Sequence, residues 1–219
     1  MITLYGFGRI FPAVIGETRD LRVEWALEEM GLPYRVHGLD FTAGESKTDA
    51  YEAISPFQRV PAIDDDGFRL AESGAVLLYL AEKYGQLVPA DFEGRMRVTQ
   101  WCFSAVNTVE WATLQLKVLD LFGGGEGAEA RRADLVKQAQ RSLGLLEKQL
   151  DGREWITGDE FTVADLLMAT VLRQIRHTEL MADYPLVSAY YARALARPAW
   201  GRALQAYADR FGVPVTQVS

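Results

Sequence analysis

Ile54-Ser55-Pro56-Phe57-Gln58-Arg59-Val60-Pro61-Ala62-Ile63 is the stretch on which the reading of this 219-residue chain turns. Val60 to Asp64 has the apolar, β-branched character of a strand. Pro61 stands at its entrance, where a proline cannot donate to a ladder. Two arrangements fit. One is a loop proline ahead of an edge strand. The other is a cis proline that turns the strand so that its backbone faces a ligand. In the second, the N–H and C=O of Val60 pair with a peptide-like ligand as an added strand would. Glu72 and Ser73 bear on the choice, because they open a helix eleven residues beyond Pro61. A helix N-terminus offers N–H groups and partial positive charge to a carboxylate, and Glu72 beside it can accept from an ammonium. The pair matches an α-amino acid head group. Ser73 as a plain N-cap is compatible with the same role.

The surroundings give the order of elements. Ile2 to Phe7 reads as a short strand, and Leu21 to Met30 as a helix stopped by Gly31 with Pro33 beyond. Tyr34 to Leu39 alternates as a second strand. Glu45 to Ile54 is polar with helical potential. After the third strand, Asp65-Asp66-Gly67 reads as a hairpin turn into Phe68 to Leu70. Ser73 to Tyr84 is a helix ended by Gly85. This βαβ-α-ββα order is the thioredoxin-like arrangement of an α/β domain. Beyond Pro89 no strand-like run of weight remains. Val98, Cys102, Ala105, Val109, Ala112, Leu116 and Leu119 alternate spacings of 4 and 3, one apolar helical face. Gly123 to Gly127 interrupts it. Further helices are expected over Leu135 to Leu150, Val163 to His177, and after Pro185 and Pro198. The expected organisation is a thioredoxin-like N-terminal domain over 1–84, a linker at 85–92 and an all-α helical bundle over 93–219.

Composition limits the function. Hydrophobic residues make up 49 % and charged residues 24 %, ordinary for a globular chain. No apolar run approaches the roughly 20 residues of a membrane span, so no membrane partner is expected. The first residues lack a basic region followed by an apolar stretch, so no signal peptide is expected. Cys102 is the one cysteine, which suits a reducing, cytoplasmic location. With His37 and His177 far apart, no metal-ligand spacing exists. A net charge of −7 argues against nucleic acid. Residues 1–85 carry 8 basic and 14 acidic residues, so an anionic ligand there needs local basic groups.

The run Ser55-Pro56 to Val60-Pro61, followed by Gly67-Phe68-Arg69-Leu70-Ala71-Glu72-Ser73-Gly74-Ala75-Val76-Leu77-Leu78-Tyr79-Leu80, resembles the cytosolic glutathione transferase family, in its bacterial-type form. Gly158-Asp159-Glu160-Phe161-Thr162-Val163-Ala164-Asp165 is similar to that family's capping motif. Physically, Thr162 is the N-cap, Asp165 is N3, and Phe161 with Leu166 forms a hydrophobic staple. Ala196-Arg197-Pro198-Ala199 also fits. The resemblance spans nearly the whole chain. It implies glutathione as co-substrate, no metal, an apolar electrophilic small molecule as second substrate held by the helical domain, detoxification, and a homodimer. It further implies that Glu72 and Ser73 hold the γ-glutamyl group and that Val60 with Pro61 holds the cysteinyl backbone. Gln58 and Arg59 replace the usual segment before Val-Pro and are candidate ligand contacts. Lys47 and Arg59 are candidates for the glycine carboxylate, and Arg9 is similar.

The chain departs most from the family between the first strand and the first helix. Gly6 to Asp20 is about half a dozen residues longer than the usual loop, which delivers the catalytic Ser, Cys or Tyr. Glutathione must react as a thiolate, and a free thiol near pKa 8.5 is mostly protonated at neutral pH. A hydroxyl, a helix N-terminal N–H or a cation stabilises the sulfur anion. Counting back from Gly31 places the catalytic position at Glu17, Thr18 or Arg19. Thr18 is the only hydroxyl there, and Arg19 supplies charge. Tyr5 is the rival, as hydroxyl donor or as core filling. Cys102 lies on an apolar face and reads as core. Phe7, Ile10, Phe11, Val14 and Ile15 make the insertion apolar. It is expected to wall or cover the substrate pocket, with Phe103, Asn107, Trp111 and Phe211 opposite, or to pack on the second domain or a partner subunit. Alternatives to a transferase are a non-catalytic binding or regulatory protein, and a glutathione-dependent isomerase, dehalogenase or reductase.

Overall fold

The computed structural model describes all 219 residues. Two compact units emerge, Met1–Gln86 together with Arg197–Ser219, and Leu87–Ala196. In the first, β1 (Ile2–Arg9), β2 (Tyr34–Asp40), β3 (Ala62–Asp65) and β4 (Phe68–Ala71) form one sheet in the order β2-β1-β3-β4. β1 runs parallel to β2 and antiparallel to β3, and β3 pairs antiparallel with β4. This is the expected βαβ followed by ββ. The helices are α1 (Asp20–Met30), the short α2 (Asp49–Glu52) and α3 (Ser73–Tyr84). Gly31 and Gly85 end α1 and α3 at φ 64° and φ 61°, a conformation glycine adopts without penalty.

Two elements differ from expectation. β1 continues to Arg9 past a bulge, because Gly8 and Gly38 let the paired backbones close in. A Cβ on either would meet the other's backbone at 2.9 Å. The expected helix over 45–54 is instead a 3-10 turn at Glu45–Lys47 followed by α2. Thr48 breaks it by adopting an extended conformation (ψ 152°) and capping the amide of Tyr51.

The second unit is all-helical: α4 (Phe92–Phe103), α5 (Glu110–Phe122), α6 (Ala128–Leu150), α7 (Val163–Leu172) and α8 (Pro185–Leu195). The face read from the 4,3 spacing is buried at Val98, Cys102, Ala105, Val109, Ala112 and Leu116. Its helix is interrupted by a π-helical segment at Ser104–Val109. The capping box forms. Asp165 accepts from the Thr162 amide (2.8 Å) and hydroxyl (2.9 Å), and also from the Ile156 amide and the Tyr190 hydroxyl. Burial pushes the Cys102 thiol up to about 12, with the Asp165 charge adding to the effect, so the thiol stays protonated. No helix is long and apolar enough to cross a membrane.

The chain's end parts from the expected division. α9 (Pro198–Phe211) and α10 (Val215–Val218) group with the first unit, not with the helical bundle over 93–219. The cause lies in α1. From Asp20 to Leu27 every residue of α1 is buried, including Asp20, Arg22 and Glu24. Buried charges require partners. α9 supplies them: Arg210 reaches Asp20 Oδ2 at 2.9 Å and Glu24 Oε2 at 3.1 Å. Arg202 bonds Glu28 at 3.0 Å, Arg197 pairs with Glu29, and Trp200 packs on Trp25 at 4.9 Å between ring centres.

Burial pushes the Glu24 carboxyl up to about 7; Arg210 opposes this and Asp20 adds to it. An unfolded glutamate, near 4.5, gives up its proton before the folded one does. The stability from this group is therefore full at low pH and declines as pH rises through about 7. Glu24→Gln removes that decline, so urea unfolding shows the native chain losing ground to the variant between about pH 5 and about pH 8. Arg210→Met strands two buried carboxylates and lowers stability by about 3 kcal/mol at about pH 8. The loss is smaller at about pH 5, where Glu24 holds its proton. Equal losses at both pH values would refute the charge assignment.

Candidate functional site

The antiparallel register of β3 and β4 assembles the site. Ala62 pairs with Ala71, so Val60-Pro61 and Glu72-Ser73 continue that pairing side by side. The Val60–Pro61 bond is cis. The amide and carbonyl of Val60 find no backbone partner. The preceding loop is fastened from inside. Buried Ser55 receives the Arg59 amide (3.0 Å) and donates to the Arg59 carbonyl (2.9 Å), and the Tyr51 hydroxyl bonds that same carbonyl (2.9 Å). Gln58 sits at φ 53°, and its amide nitrogen donates to Glu52 at 2.7 Å. Arg59 and Lys47 are exposed, Lys47 at the end of the 3-10 turn. Arg9 is exposed and paired with Asp40 at 3.5 Å.

Ser73 is the first residue of α3 and is 6 % exposed, so its hydroxyl lies just below the surface at the positive end of the helix. Glu72 before it is exposed and adopts φ 72°, ψ 112°, a region non-glycine residues rarely occupy. Such backbone strain gathers at ligand clamps. Arg22 of α1, 3 % exposed, donates to Ser73 Oγ at 3.3 Å. Sequence reasoning missed Arg22. It asked for a basic group near an anionic ligand, but only α1 packing on α3 brings this one to Ser73. Tyr51 and Ser55 were likewise missed as supports of the loop.

The segment expected to activate a thiol is differently arranged from its rival. Thr18 is half-buried, and its Oγ1 lies 2.6 Å from the hydroxyl of Tyr207 on α9. Arg19 follows at the N-cap of α1 and is exposed. Tyr5 projects from the other face of the sheet. Its neighbour Gly6 faces α1, where a Cβ would meet Asp20 at 2.7 Å, and side chains alternate along a strand. The Tyr5 ring packs on Tyr51 and His37, at 6.0 and 5.2 Å. Thr18 and Tyr5 are thus not brought together. Within the first unit Phe7 and Phe11 of the apolar insertion pack edge-on to Phe41, Phe11 and Phe41 remaining exposed, and Gly16 lies against Tyr207 and Val218. Of the residues expected on a facing wall, Phe211 belongs to this same unit and stacks on Tyr207 at 4.9 Å. Phe103, Asn107 and Trp111 are exposed on the helical unit around the π-helical segment.

The first unit has the thioredoxin-like strand order, with unpaired Val60 backbone beside the N-terminus of α3, and the second is a helical bundle, the architecture of the glutathione transferases. Comparison agrees. The sequence model for the glutathione S-transferase N-terminal domain matches residues 13–82, and that for the C-terminal domain matches residues 108–198. Glutathione S-transferase F9 of Arabidopsis thaliana is 30 % identical over 193 residues, covering 83 % of this chain and 89 % of that one. A glutathione transferase of Burkholderia graminis, solved with two glutathione molecules bound per subunit, is 34 % identical with a TM-score of 0.81, covering 92 % of this chain and 86 % of that one. A family member from Pseudomonas fluorescens, also with two glutathione bound, is 31 % identical with a TM-score of 0.80, covering 92 % and 91 %. This chain belongs to the glutathione S-transferase family.

Ser55→Ala releases the Arg59 amide and leaves the Arg59 carbonyl to Tyr51 alone. Hydrogen–deuterium exchange is expected to show the Arg59 amide losing protection while α6 amides keep theirs, with about 1–3 kcal/mol lost locally. Unchanged protection at Arg59 would mean that Ser55 does not fasten this amide.

Proposed function

We propose that this chain is a glutathione transferase that stabilises the thiolate of bound glutathione for attack on an apolar electrophile. The observation that carries the reading is Ser73 at the N-terminus of α3, backed by the buried guanidinium of Arg22 and adjoining the unpaired backbone of Val60. In this reading Ser73 and Glu72 take the γ-glutamyl carboxylate and ammonium. Val60, ahead of Pro61, pairs with the cysteinyl backbone. Gln58, Arg59 and Lys47 lie toward the glycine carboxylate. Thr18 donates to the sulfur, with Arg19 adding positive charge nearby, and Tyr5 serves packing. The thiolate attacks carbon, a C–S bond forms, and the leaving group departs with its bonding electrons. Phe103, Asn107 and Trp111 offer the helical unit's apolar contacts to the second substrate. A homodimer acting in cytoplasmic detoxification completes the proposal.

A second reading has its own support. The relatives with two glutathione molecules per subunit suggest that the second ligand is itself glutathione. The same thiolate would then attack a disulfide sulfur, and a thiolate would leave. No protein cysteine is needed for that step. A panel of aryl halides, epoxides, enals and glutathione mixed disulfides separates the two. Turnover of the carbon electrophiles supports the transferase, and turnover confined to disulfides supports the reductase.

Ser73→Ala and Arg22→Met are each expected to weaken glutathione binding about tenfold by calorimetry, the worth of one charge-assisted hydrogen bond. Thr18→Ala is expected to leave binding nearly intact and to raise the bound thiol's pKa by about one, read from thiolate absorbance. A Thr18→Ala enzyme with an unaltered thiol pKa would remove Thr18 from this role.

A further inference from the structure

Tyr207 is fully buried, on the helix that returns from the chain's far end. Its hydroxyl has two neighbours, the Gly16 amide at 3.3 Å and Thr18 Oγ1 at 2.6 Å. The amide can only donate, so the phenol oxygen accepts from it. The phenol hydrogen must then go somewhere, and the sole acceptor within reach is Thr18 Oγ1. The reverse polarity, with Thr18 donating to Tyr207, would leave the phenol hydrogen buried and unpaired, which folded proteins avoid. Burial, with the Asp20 charge adding to it, holds the Tyr207 hydroxyl well above its ordinary pKa, so it remains a donor. The other charged groups facing it are Asp20 and Arg210, whose guanidinium lies 4.7 Å from the Tyr207 ring centre.

We propose that Tyr207 is a positioning residue for thiol activation. It fixes the rotor of Thr18 so that the one hydrogen Thr18 owns is left for the glutathione sulfur. The relay runs Gly16 N–H to Tyr207 O–H to Thr18 O–H to the thiolate. Each donor in such a chain polarises the next, so Thr18 becomes a stronger donor than an isolated hydroxyl. No proton is transferred along it; the relay orients and polarises. This rests on Thr18 as the sulfur's donor. It adds that α9, near the chain's end, tunes a group delivered by the loop after β1.

The test measures the pKa of glutathione bound to the full-length protein, by thiolate absorbance and by the pH profile of kcat/KM. Tyr207→Phe removes one oxygen from a buried site. It is expected to raise the thiol pKa by about half a pH unit to one, with glutathione affinity at acidic pH unchanged. In a Thr18→Ala background the same change should have no further effect, because Tyr207 acts only through Thr18. Fluorotyrosine at 207 keeps the shape and strengthens the donor, so the thiol pKa should fall as fluorines are added. That graded response holds the proposal to account even if Tyr207→Phe folds poorly. If Thr18→Ala shifts the pKa while Tyr207→Phe and the fluorotyrosines do not, the relay is wrong and Thr18 stands alone. If Thr18→Ala shifts nothing, the Thr18 assignment falls and the relay with it. A thermal midpoint that moves while the thiol pKa stays fixed would reduce Tyr207 to a structural contact and overturn the proposal.

Discussion

The guanidinium of Arg210, held between Asp20 and Glu24, is the interaction on which the first unit depends. α1 is buried on all sides over two turns, yet it carries three charged residues there. The sheet and α3 cover part of it with apolar contacts and with Ser73, which meets Arg22. The remaining carboxylates face the place α9 occupies. Covered by α9 but without its Arg210 they would be buried acids with no counter-charge, at a cost of several kcal/mol each. The sheet domain is therefore incomplete until the last residues of the chain return to it.

That dependence has a chemical consequence. Two hydroxyls stand at the N-terminal ends of two helices, Thr18 ahead of α1 and Ser73 opening α3. Each has an interior partner beside it: Arg22, which donates to Ser73, and the Tyr207 hydroxyl, which in the proposed relay donates to Thr18. A hydroxyl owns one hydrogen and two lone pairs. When an interior donor takes a lone pair, the hydrogen is directed outward. In the proposed reading both groups are thereby set as donors toward anions, the glutathione thiolate in one case and its carboxylate in the other. The helix-end dipoles act in the same direction.

The sequence made the fold readable where periodicity and punctuation are local. The alternation in β2, the Gly31 and Gly85 stops, the hairpin turn at 65–67, the 4,3 face of the bundle and the Thr162 box all act over a few residues. The pairing of Val60 with the Ser73 end was legible because both motifs flank one short hairpin. Arg22 and Tyr207 were not, because each acts across contacts of 51 and 189–191 residues in sequence. An arginine and a tyrosine in amphipathic helices look like any others. The assignment of α9 to the bundle failed for the same reason: helical periodicity reports that a face is buried, not which surface covers it. The insertion after β1 looked like a pocket wall because it is apolar. Phe7 and Phe11 each pack edge-on to Phe41, with Phe11 and Phe41 still exposed, while its polar end reaches Tyr207.

The acidic excess of the first 85 residues poses a problem for any anionic ligand, and the structure divides its solution between two arginines. Arg210 is spent on internal carboxylates. It neutralises Asp20 and Glu24 next to the segment where a thiolate would form, so that those acids do not oppose the anion. Arg22 lies on a different face of the same helix, two residues from Asp20, and its charge is directed at Ser73 instead. An α-helix places successive even-numbered residues about 200° apart, so Asp20 and Glu24 share one side while Arg22 takes the other. One buried helix thus keeps its acids toward α9 and its base toward Ser73. Exchanging Arg22 with either acid would preserve net charge and destroy both arrangements. In the proposed reading, position on the helix rather than total charge is what would let an acidic domain bind an anion.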